Sequence, residues 1–386
     1  MNIIPPSRIL VVIAALYVGT CVPTSEAVIT RDDQGVIAFF YDPGASPPRW
    51  NTLAGSPHAT PRPALCFYSL RRLRPIGYLS VPHAIAGIAP TGNNFLIAEN
   101  RATPVAKRGT SAGRFTTMIE YDPTHGRIVV RRKYDWLMGP MLGGRQIPFI
   151  TGPDGIVWLE RFQMVDGKAT CWLSSLDWPT GRMLGSSQRN GSNAFPFIFA
   201  VKGAALLIHE RGRSAAATVV KANGTAFTLH LPKGFRGVPY HMTSRGRRLD
   251  GMSMTGGYFI SIKLGRTRAV VRERKLGVIH GRPVRGYAEL DSATGVVLLR
   301  DYGGNACDLI LVSTPTGRVL KRVTVDFPGN YVVAFGGKIF LVSPGGRVAR
   351  CGENGRIERV GPPAFGPLLP LHPTAALGGS SPQKGG

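Results

Sequence analysis

Tyr121-Asp122-Pro123-Thr124-His125-Gly126-Arg127-Ile128 and Leu176-Asp177-Trp178-Pro179-Thr180-Gly181-Arg182-Met183 share one outline: an apolar residue, an acid, a bend, then Gly-Arg leading into apolar residues. The outline returns, loosened, in Leu290-Asp291-Ser292-Ala293-Thr294-Gly295-Val296-Val297, in Val312-Ser313-Thr314-Pro315-Thr316-Gly317-Arg318-Val319 and in Val342-Ser343-Pro344-Gly345-Gly346-Arg347-Val348. Asp, Pro and Thr shape such a bend, and Gly supplies the positive φ that precedes the next strand. Turn glycines 126, 181, 224, 265 and 317 stand 55, 43, 41 and 52 residues apart, the spacing of four-stranded propeller blades. Residues 28–360, at roughly 45 to 50 residues per blade, make about seven blades.

The rest of the chain leaves no room for long helices. Gly (49) and Pro (31) make up about one residue in five of the 386, and no stretch free of both exceeds 12 residues. Between these breaks lie short runs rich in β-branched and aromatic residues, such as 95–98, 156–158, 205–208, 258–262 and 332–335, the composition of strands. The fold expected is all-β, a β-propeller of about seven four-stranded blades. Tandem β-sandwiches with similar hairpins are the alternative.

The Asp-x-x-Thr-Gly-Arg turns resemble the repeat of the PQQ-like, or quinoprotein-type, β-propellers over most of residues 90–360. That repeat places a Trp shortly after the Gly, whereas the matching positions here hold Val129, Val130, Met183, Leu184, Val297 and Leu298. The resemblance therefore implies the fold and lacks the docking tryptophans. It gives no reason to expect a quinone or any other cofactor, and it speaks to fold more than to function.

At the N-terminus, Arg8 precedes the apolar run Ile9 to Gly19, and polar residues then end in Ser25-Glu26-Ala27. The run is too short to span a bilayer, and the small-x-small ending is that of a signal peptide over residues 1–27. Acylation at Cys21 ranks second, because Thr20 stands where Gly, Ala or Ser is usual. The mature chain is thus expected to be secreted or held in the periplasm or envelope, with no membrane span. Residues 42–65 read as a Pro-rich loop inside the domain 28–360, and 361–386 as a disordered tail.

Removal of residues 1–27 leaves Cys66, Cys171, Cys307 and Cys351. In an oxidising compartment they allow three pairings. Cys66 with Cys351 would join first and last modules and Cys307 with Cys351 would join neighbours, while four buried free thiols are the other reading. No two are close enough for a CxxC zinc site.

Chemistry is sparse. There is no P-loop, dinucleotide glycine fingerprint, HExxH or GxSxG elbow, and the eight histidines are scattered singly. One constellation does recur, an acid closely followed by Arg beyond a strand: Glu99 and Arg101, Glu160 and Arg161, then His209, Glu210 and Arg211. Val297-Leu298-Leu299-Arg300-Asp301 reverses the order, and Lys263 replaces the acid after Phe259 to Ile262. These ends either face a central funnel as a polar ligand site or form ion pairs that close each blade.

A second surface is basic. The net charge is +25, from 47 Lys plus Arg against 22 Asp plus Glu. Arg245, Arg247 and Arg248 are followed by Arg266, Arg268, Arg272, Arg274 and Lys275, with a smaller group at Arg71, Arg72 and Arg74. Alternate arginines would line one strand face and suit sulfate, carboxylate or phosphate. Such a field draws polyanions at low salt, although Arg-rich coding alone also produces it. Aromatics are few there and no RNA-binding signature is present, so nucleic acid is an unexpected partner. Asn190-Gly191-Ser192 and Asn223-Gly224-Thr225 read as Asn-Gly turns, and as glycosylation acceptors only where that pathway exists.

Two functions fit. One is an exported, non-catalytic binding or scaffold propeller that recognises an acidic polysaccharide, another polyanion or a protein. The other is a propeller hydrolase or lyase acting on an acidic glycan through Glu99, Glu160 or Glu210 with neighbouring Arg or His209.

Overall fold

The computed structural model describes residues 27–29, 35–41, 64–80, 85–91, 94–102, 114–138, 149–165, 168–189, 197–211, 214–229, 239–253, 257–265, 269–276, 283–300 and 304–364. They form seven antiparallel sheets, each built from four strands consecutive in the chain. Blade 1 holds β1 (Ala27–Ile29), β2 (Val36–Tyr41), β3 (Ala64–Ser69) and β4 (Arg74–Ser80). Blade 2 holds β5 (Ile85–Thr91), β6 (Asn94–Ala102), β7 (Arg114–Asp122) and β8 (Arg127–Tyr134). A short β9 (Leu137–Met138) leads into blade 3 and pairs with its second strand. Blade 3 is β10 (Phe149–Thr151), β11 (Ile156–Val165), β12 (Lys168–Asp177) and β13 (Arg182–Arg189), and blade 4 is β14 (Phe197–Val201), β15 (Ala204–Arg211), β16 (Ser214–Lys221) and β17 (Ala226–Leu229). Blade 5 is β18 (Pro239–Arg245), β19 (Arg248–Ser253), β20 (Tyr258–Leu264) and β21 (Ala269–Lys275), and blade 6 is β22 (Val284–Glu289), β23 (Thr294–Leu299), β24 (Cys307–Ser313) and β25 (Val319–Val325). Blade 7 closes the series with β26 (Tyr331–Phe335), β27 (Lys338–Val342), β28 (Val348–Cys351) and β29 (Ile357–Val360).

First strands meet first strands from blade to blade, so they line the centre and fourth strands form the rim. The chain is a seven-bladed β-propeller, as the turn spacing indicated, and not a pair of sandwiches. No helix among the described residues is long and apolar enough to cross a membrane.

Seven apolar clusters of the described residues each lie between two blades, including one between blades 7 and 1. Successive side chains on a strand leave opposite faces of the sheet, so each middle strand feeds two clusters. On β15, Leu206 joins the cluster shared with blade 5 while Ala205 and Leu207 join the one shared with blade 3. On β11, Val157 and Leu159 face blade 2 and Trp158 faces blade 4. Burial on both faces explains why these strands read as unbroken apolar runs rather than alternating ones.

The turns between third and fourth strands supply a second element at the seams before blades 3, 4, 6 and 7. Glycines 126, 181, 224, 265 and 317 all fall at this connection, which is why their spacing measures the blade. The 290–294 stretch instead joins the first two strands of blade 6, and 343–347 the middle strands of blade 7, so these two look-alike turns are not equivalent to the others. In blade 4, Gly224 (φ 85°) rests on β13: a Cβ there would lie 2.8 Å from the Ser186 carbonyl oxygen. Gly185, on that same strand, has no room for a Cβ against the backbone of Asn223 and Gly224. The turns of blades 3, 6 and 7 seat in the same way on Arg132, on Phe259 with Arg274, and on Val323 with Thr324.

Three residues beyond the turn comes a β-bulge in blades 1, 2, 3, 6 and 7, which leaves Ile76, Val129, Leu184, Leu320 and Glu358 outside the register. Bulged residues lose their ladder partner and bend the strand, and so Val129 and Leu320 are 48% and 57% exposed although apolar. In blade 1 the turn position belongs to Leu73, the one non-glycine with positive φ among the described residues. Its side chain is buried in the cluster between blades 7 and 1.

That last seam closes without a shared strand. Residues Gly361 to Ala364 run along blade 7, where Gly361 and Ala364 donate backbone hydrogen bonds to Val348 and Gly346 carbonyls at 2.8 and 2.9 Å. Tyr68 and Tyr78 of blade 1 donate from their hydroxyls to the Pro362 and Ala364 carbonyls at 3.1 and 3.0 Å. Gly361 to Ala364, the first residues of the stretch expected as a tail, thus lie against blades 7 and 1, with Ala364 fully buried; residues 365–386 lie outside the described residues. The expected signal peptide lies outside them too, except Ala27, which opens β1 opposite Phe39.

Cys66, Cys307 and Cys351 are buried free thiols, so no bridge joins first and last blades or blades 6 and 7. Cys171 sits on β12, opposite Phe162 and Arg189, with its side chain outside the described residues. Burial pushes the Cys66 thiol up to about 12 and those of Cys307 and Cys351 up to about 11. The bridges expected among these three cysteines are thus replaced by packing inside apolar seams.

Two outcomes follow. Gly224→Ala and Gly185→Ala should each lower stability by about 2 to 4 kcal/mol, a backbone clash in both cases and a strained φ in the first. Gly203→Ala, whose Cβ would meet open space, should cost only about 1 to 2 kcal/mol, as read in thermal melts. A thiol reagent at neutral pH should leave Cys66, Cys307 and Cys351 unmodified in the folded chain and label them on unfolding, because thiolate is the reactive form.

Candidate functional site

Hairpin topology gives the ring two unlike faces. One carries the turns between first and second and between third and fourth strands, all two to six residues long. The other carries the remaining connections, of which 42–63 and 103–113 are the longest between paired strands. Turns on the first face touch one another: the Gly203 N–H donates to Asp154 Oδ2 at 2.5 Å and the Lys202 N–H to the Gly246 carbonyl at 2.7 Å.

The acid and arginine positions fall on second strands, in the later half of β6 and β15 and at the middle of β11. Glu99 lies on β6 opposite Ile85 and Thr117, Glu160 on β11 opposite Leu173, and His209, Glu210 and Arg211 on β15 opposite Ala216, Ala215 and Ser214. Arg101 is on β6 opposite Phe115. The side chains of Arg101, His209, Glu210 and Arg211 lie outside the described residues. Arg300 follows β23 at the equivalent end, whereas Lys263 belongs to a third strand and is not part of the series.

Glu99 and Glu160 are buried within their blades, 1% and 6% exposed. Glu160 and Arg161 are adjacent on one strand and so point to opposite faces. Arg161 donates from Nε to Ser174 Oγ at 2.9 Å and from Nη2 to Ser186 Oγ at 3.5 Å, and its guanidinium lies 5.5 Å from the Trp172 ring centroid. It ties three strands of blade 3 together, and burial pulls its pKa down against the opposing pull of Asp135. Arg300 turns back onto its own loop, with Nε and Nη2 donating to the Gly304 carbonyl at 3.1 and 2.9 Å. Burial, followed by the nearby Arg285 charge, lowers its pKa. Arg161 and Arg300 thus brace their own blades.

The basic stretch divides in two. Arg245, Arg247 and Arg248 are engaged at the seam of blades 5 and 6 or within blade 5. Arg245 Nη2 meets Glu289 Oε1 at 2.8 Å, and Arg247 donates to the carbonyls of Leu264 and Gly265 at 3.1 and 2.6 Å. Arg248 pairs with buried Asp250 at 2.7 Å and donates to the Thr314 carbonyl at 2.8 Å. On β21, the outer strand of blade 5, Arg272, Arg274 and Lys275 are exposed, and Arg274 also donates to the Thr316 carbonyl of blade 6 at 3.0 Å. Arg266 and Arg268 lie outside the described residues.

Several polar groups carry no signal in the sequence. Asp308, 1% exposed, accepts from Arg322 Nη2 at 2.6 Å and from Thr324 Oγ1 at 2.7 Å. Glu120 accepts from Asn94 Nδ2 and from the Trp178 indole N–H, both at 2.6 Å. Trp178 sits in the turn of blade 3, and Arg132 of blade 2 stacks 5.4 Å from its ring centroid. One tryptophan therefore does dock a blade on its neighbour, from a position before the turn glycine instead of after it.

No family model matches the sequence, and no curated protein matches it. Solved structures do match in fold. A streptogramin B lyase is 13% identical with a TM-score of 0.51, covering 84% of this chain and 92% of that one. Hsv2p of Kluyveromyces lactis is 10% identical with a TM-score of 0.50, over 88% of this chain and 98% of that one. A protein of unknown function from Desulfotomaculum acetoxidans is 12% identical with a TM-score of 0.50, over 77% and 91%. At such identities the likeness is one of fold, and these neighbours are propellers.

Asp250→Asn should destabilise the chain by about 1 to 3 kcal/mol, because Arg248 loses its charge partner at a buried seam. Arg272→Gln, on the exposed rim, should change stability by less than about 0.5 kcal/mol. Denaturant unfolding of both variants checks the contrast.

Proposed function

We propose that this chain is an exported, non-catalytic binding or scaffold propeller whose cationic rim recognises a polyanionic partner. The observation that carries this reading is how the charged groups divide. Those inside the blades, Asp250, Asp308, Glu120, Arg161 and Arg248 among them, are engaged in holding strands and seams together. Outer strands carry further cations that are exposed, Arg131 and Lys133 on β8 and Arg272, Arg274 and Lys275 on β21. Cations there also blunt edge-to-edge pairing of the outer strands, and a protein of net charge +25 steers acidic polymers toward them. Guanidinium groups spaced two residues apart, about 7 Å, match repeating sulfate or carboxylate groups.

Export is the reading of Arg8, the apolar run after it and Ser25-Glu26-Ala27. It places the protein outside the cytoplasm, either secreted or in an envelope compartment. N-terminal sequencing of protein recovered from that compartment should begin at Val28. A start at Cys21 would point to the acylated form, and an intact Met1 would contradict export.

The binding reading is tested by passing purified mature protein over immobilised acidic and neutral polysaccharides at low and at physiological salt. Retention on an acidic polymer at both salts is expected, weakened severalfold by Arg272→Glu with Arg274→Glu. Loss of all binding at physiological salt would reduce the attraction to nonspecific charge.

A further inference from the structure

The turn between third and fourth strands repeats more than its glycine. The residue after the positive-φ position is Arg74 in blade 1, Arg127 in blade 2, Arg182 in blade 3, Arg318 in blade 6 and Arg356 in blade 7. Each opens or immediately precedes the outer strand of its blade, and all five are exposed. Blade 4 carries Thr225 at this place, and in blade 5 Gly265 is followed by Arg266. Five blades thus set a guanidinium at one equivalent point on one face of a closed ring.

The connections on that face are the shorter ones, two to six residues each. Lys202 and Lys338, at turns between first and second strands, add exposed cations nearer its centre. Several of its acids are drawn into the turns themselves, while Glu353 stands exposed in the turn that carries Arg356. Asp122 pairs with the His125 ring at 2.6 Å and more loosely with Arg127 Nε at 3.9 Å, Asp177 with the Thr180 hydroxyl, and Asp291 accepts from the N–H groups of Ala293 and Thr294 at 2.6 and 2.8 Å. Beside two of the arginines the bulge turns out an aliphatic side chain, Val129 after Arg127 and Leu320 after Arg318.

We infer that this turn face docks on an anionic lipid surface, the ring of arginines meeting phosphate headgroups while Val129 and Leu320 enter the interfacial layer. The inference rests on the polyanion reading above, and for a lipid partner it moves the contact from the outer strands to the turn face. A linear polymer lying across the ring can reach only some of these arginines at once. A plane can meet every one together, and cations beside exposed aliphatic groups are the pairing that interfacial binding uses.

The test is sedimentation of the full mature chain with vesicles of phosphatidylglycerol in phosphatidylcholine, against phosphatidylcholine alone, and in parallel with dextran sulfate. Binding to the anionic vesicles only is expected. Arg127→Gln, Arg182→Gln, Arg318→Gln and Arg356→Gln should each weaken it about fivefold, the effect of about 1 kcal/mol per cation at such a surface. Blade should not matter, and lysine at all four positions should retain most of the binding. Arg131→Gln removes the same charge four residues further along β8, about 13 Å away and beyond the screening length; it should have little effect. Equal losses from Arg131→Gln, or undiminished binding by the fourfold Gln variant, would overturn the inference. Binding to dextran sulfate without binding to vesicles would overturn it while leaving the polyanion reading intact, and binding to neither would remove both.

Discussion

Blades 3, 4, 6 and 7 of this propeller are set by how the turn between third and fourth strands seats on the blade before it. Apolar clusters fill the space between blades, yet burial is non-directional and does not by itself set where one sheet stops sliding over another. The turn does. Backbone of residues 222–224 against Gly185, and Gly317 against Arg274, leave no slack for a side chain, and polar groups such as Trp178 with Glu120 and Arg248 with the Thr314 carbonyl pin the same seams. Of a chain in which 18% of residues are charged, a few such as Glu120 and Arg248 serve the seams in this way.

This explains what could be read from the sequence and what could not. Strand content was legible because Gly and Pro cut the chain into pieces too short for helices, and blade length was legible because Gly126, Gly181, Gly224, Gly265 and Gly317 occupy one topological position. The turns at 290–294 and 343–347 mislead because any tight hairpin favours the same residues, whatever pair of strands it joins. Blade 1 hides for the converse reason. Its turn position is held by Leu73, which tolerates φ 51° while buried beneath residues 361–364, and no glycine marks the place.

The candidate site was legible in position and less so in role. Glu99, Glu160 and Glu210 do lie on second strands, with Arg300 just beyond one, but adjacency in sequence suggested pairs where the pleat separates neighbours: Arg161 bonds to serines of the next two strands and Glu160 looks the other way. Arg245, Arg247 and Arg248 read as a basic patch because carbonyl partners such as Leu264 and Thr314 come from distant turns that no linear reading can bring near. Asp308 has its partners, Arg322 and Thr324, on the neighbouring strand, and its register opposite Thr324 brings them together.

The seam account has its weakest point where the ring closes, since blades 7 and 1 share no strand and Gly361 to Ala364 do the seating. Amide hydrogen exchange on a chain ending at Val360 addresses it directly. If seams hold the ring, protection falls in blades 1 and 7 while blades 3 to 5 keep theirs. Unchanged protection in β3, β4 and β28, or an equal loss in every blade, would contradict the account.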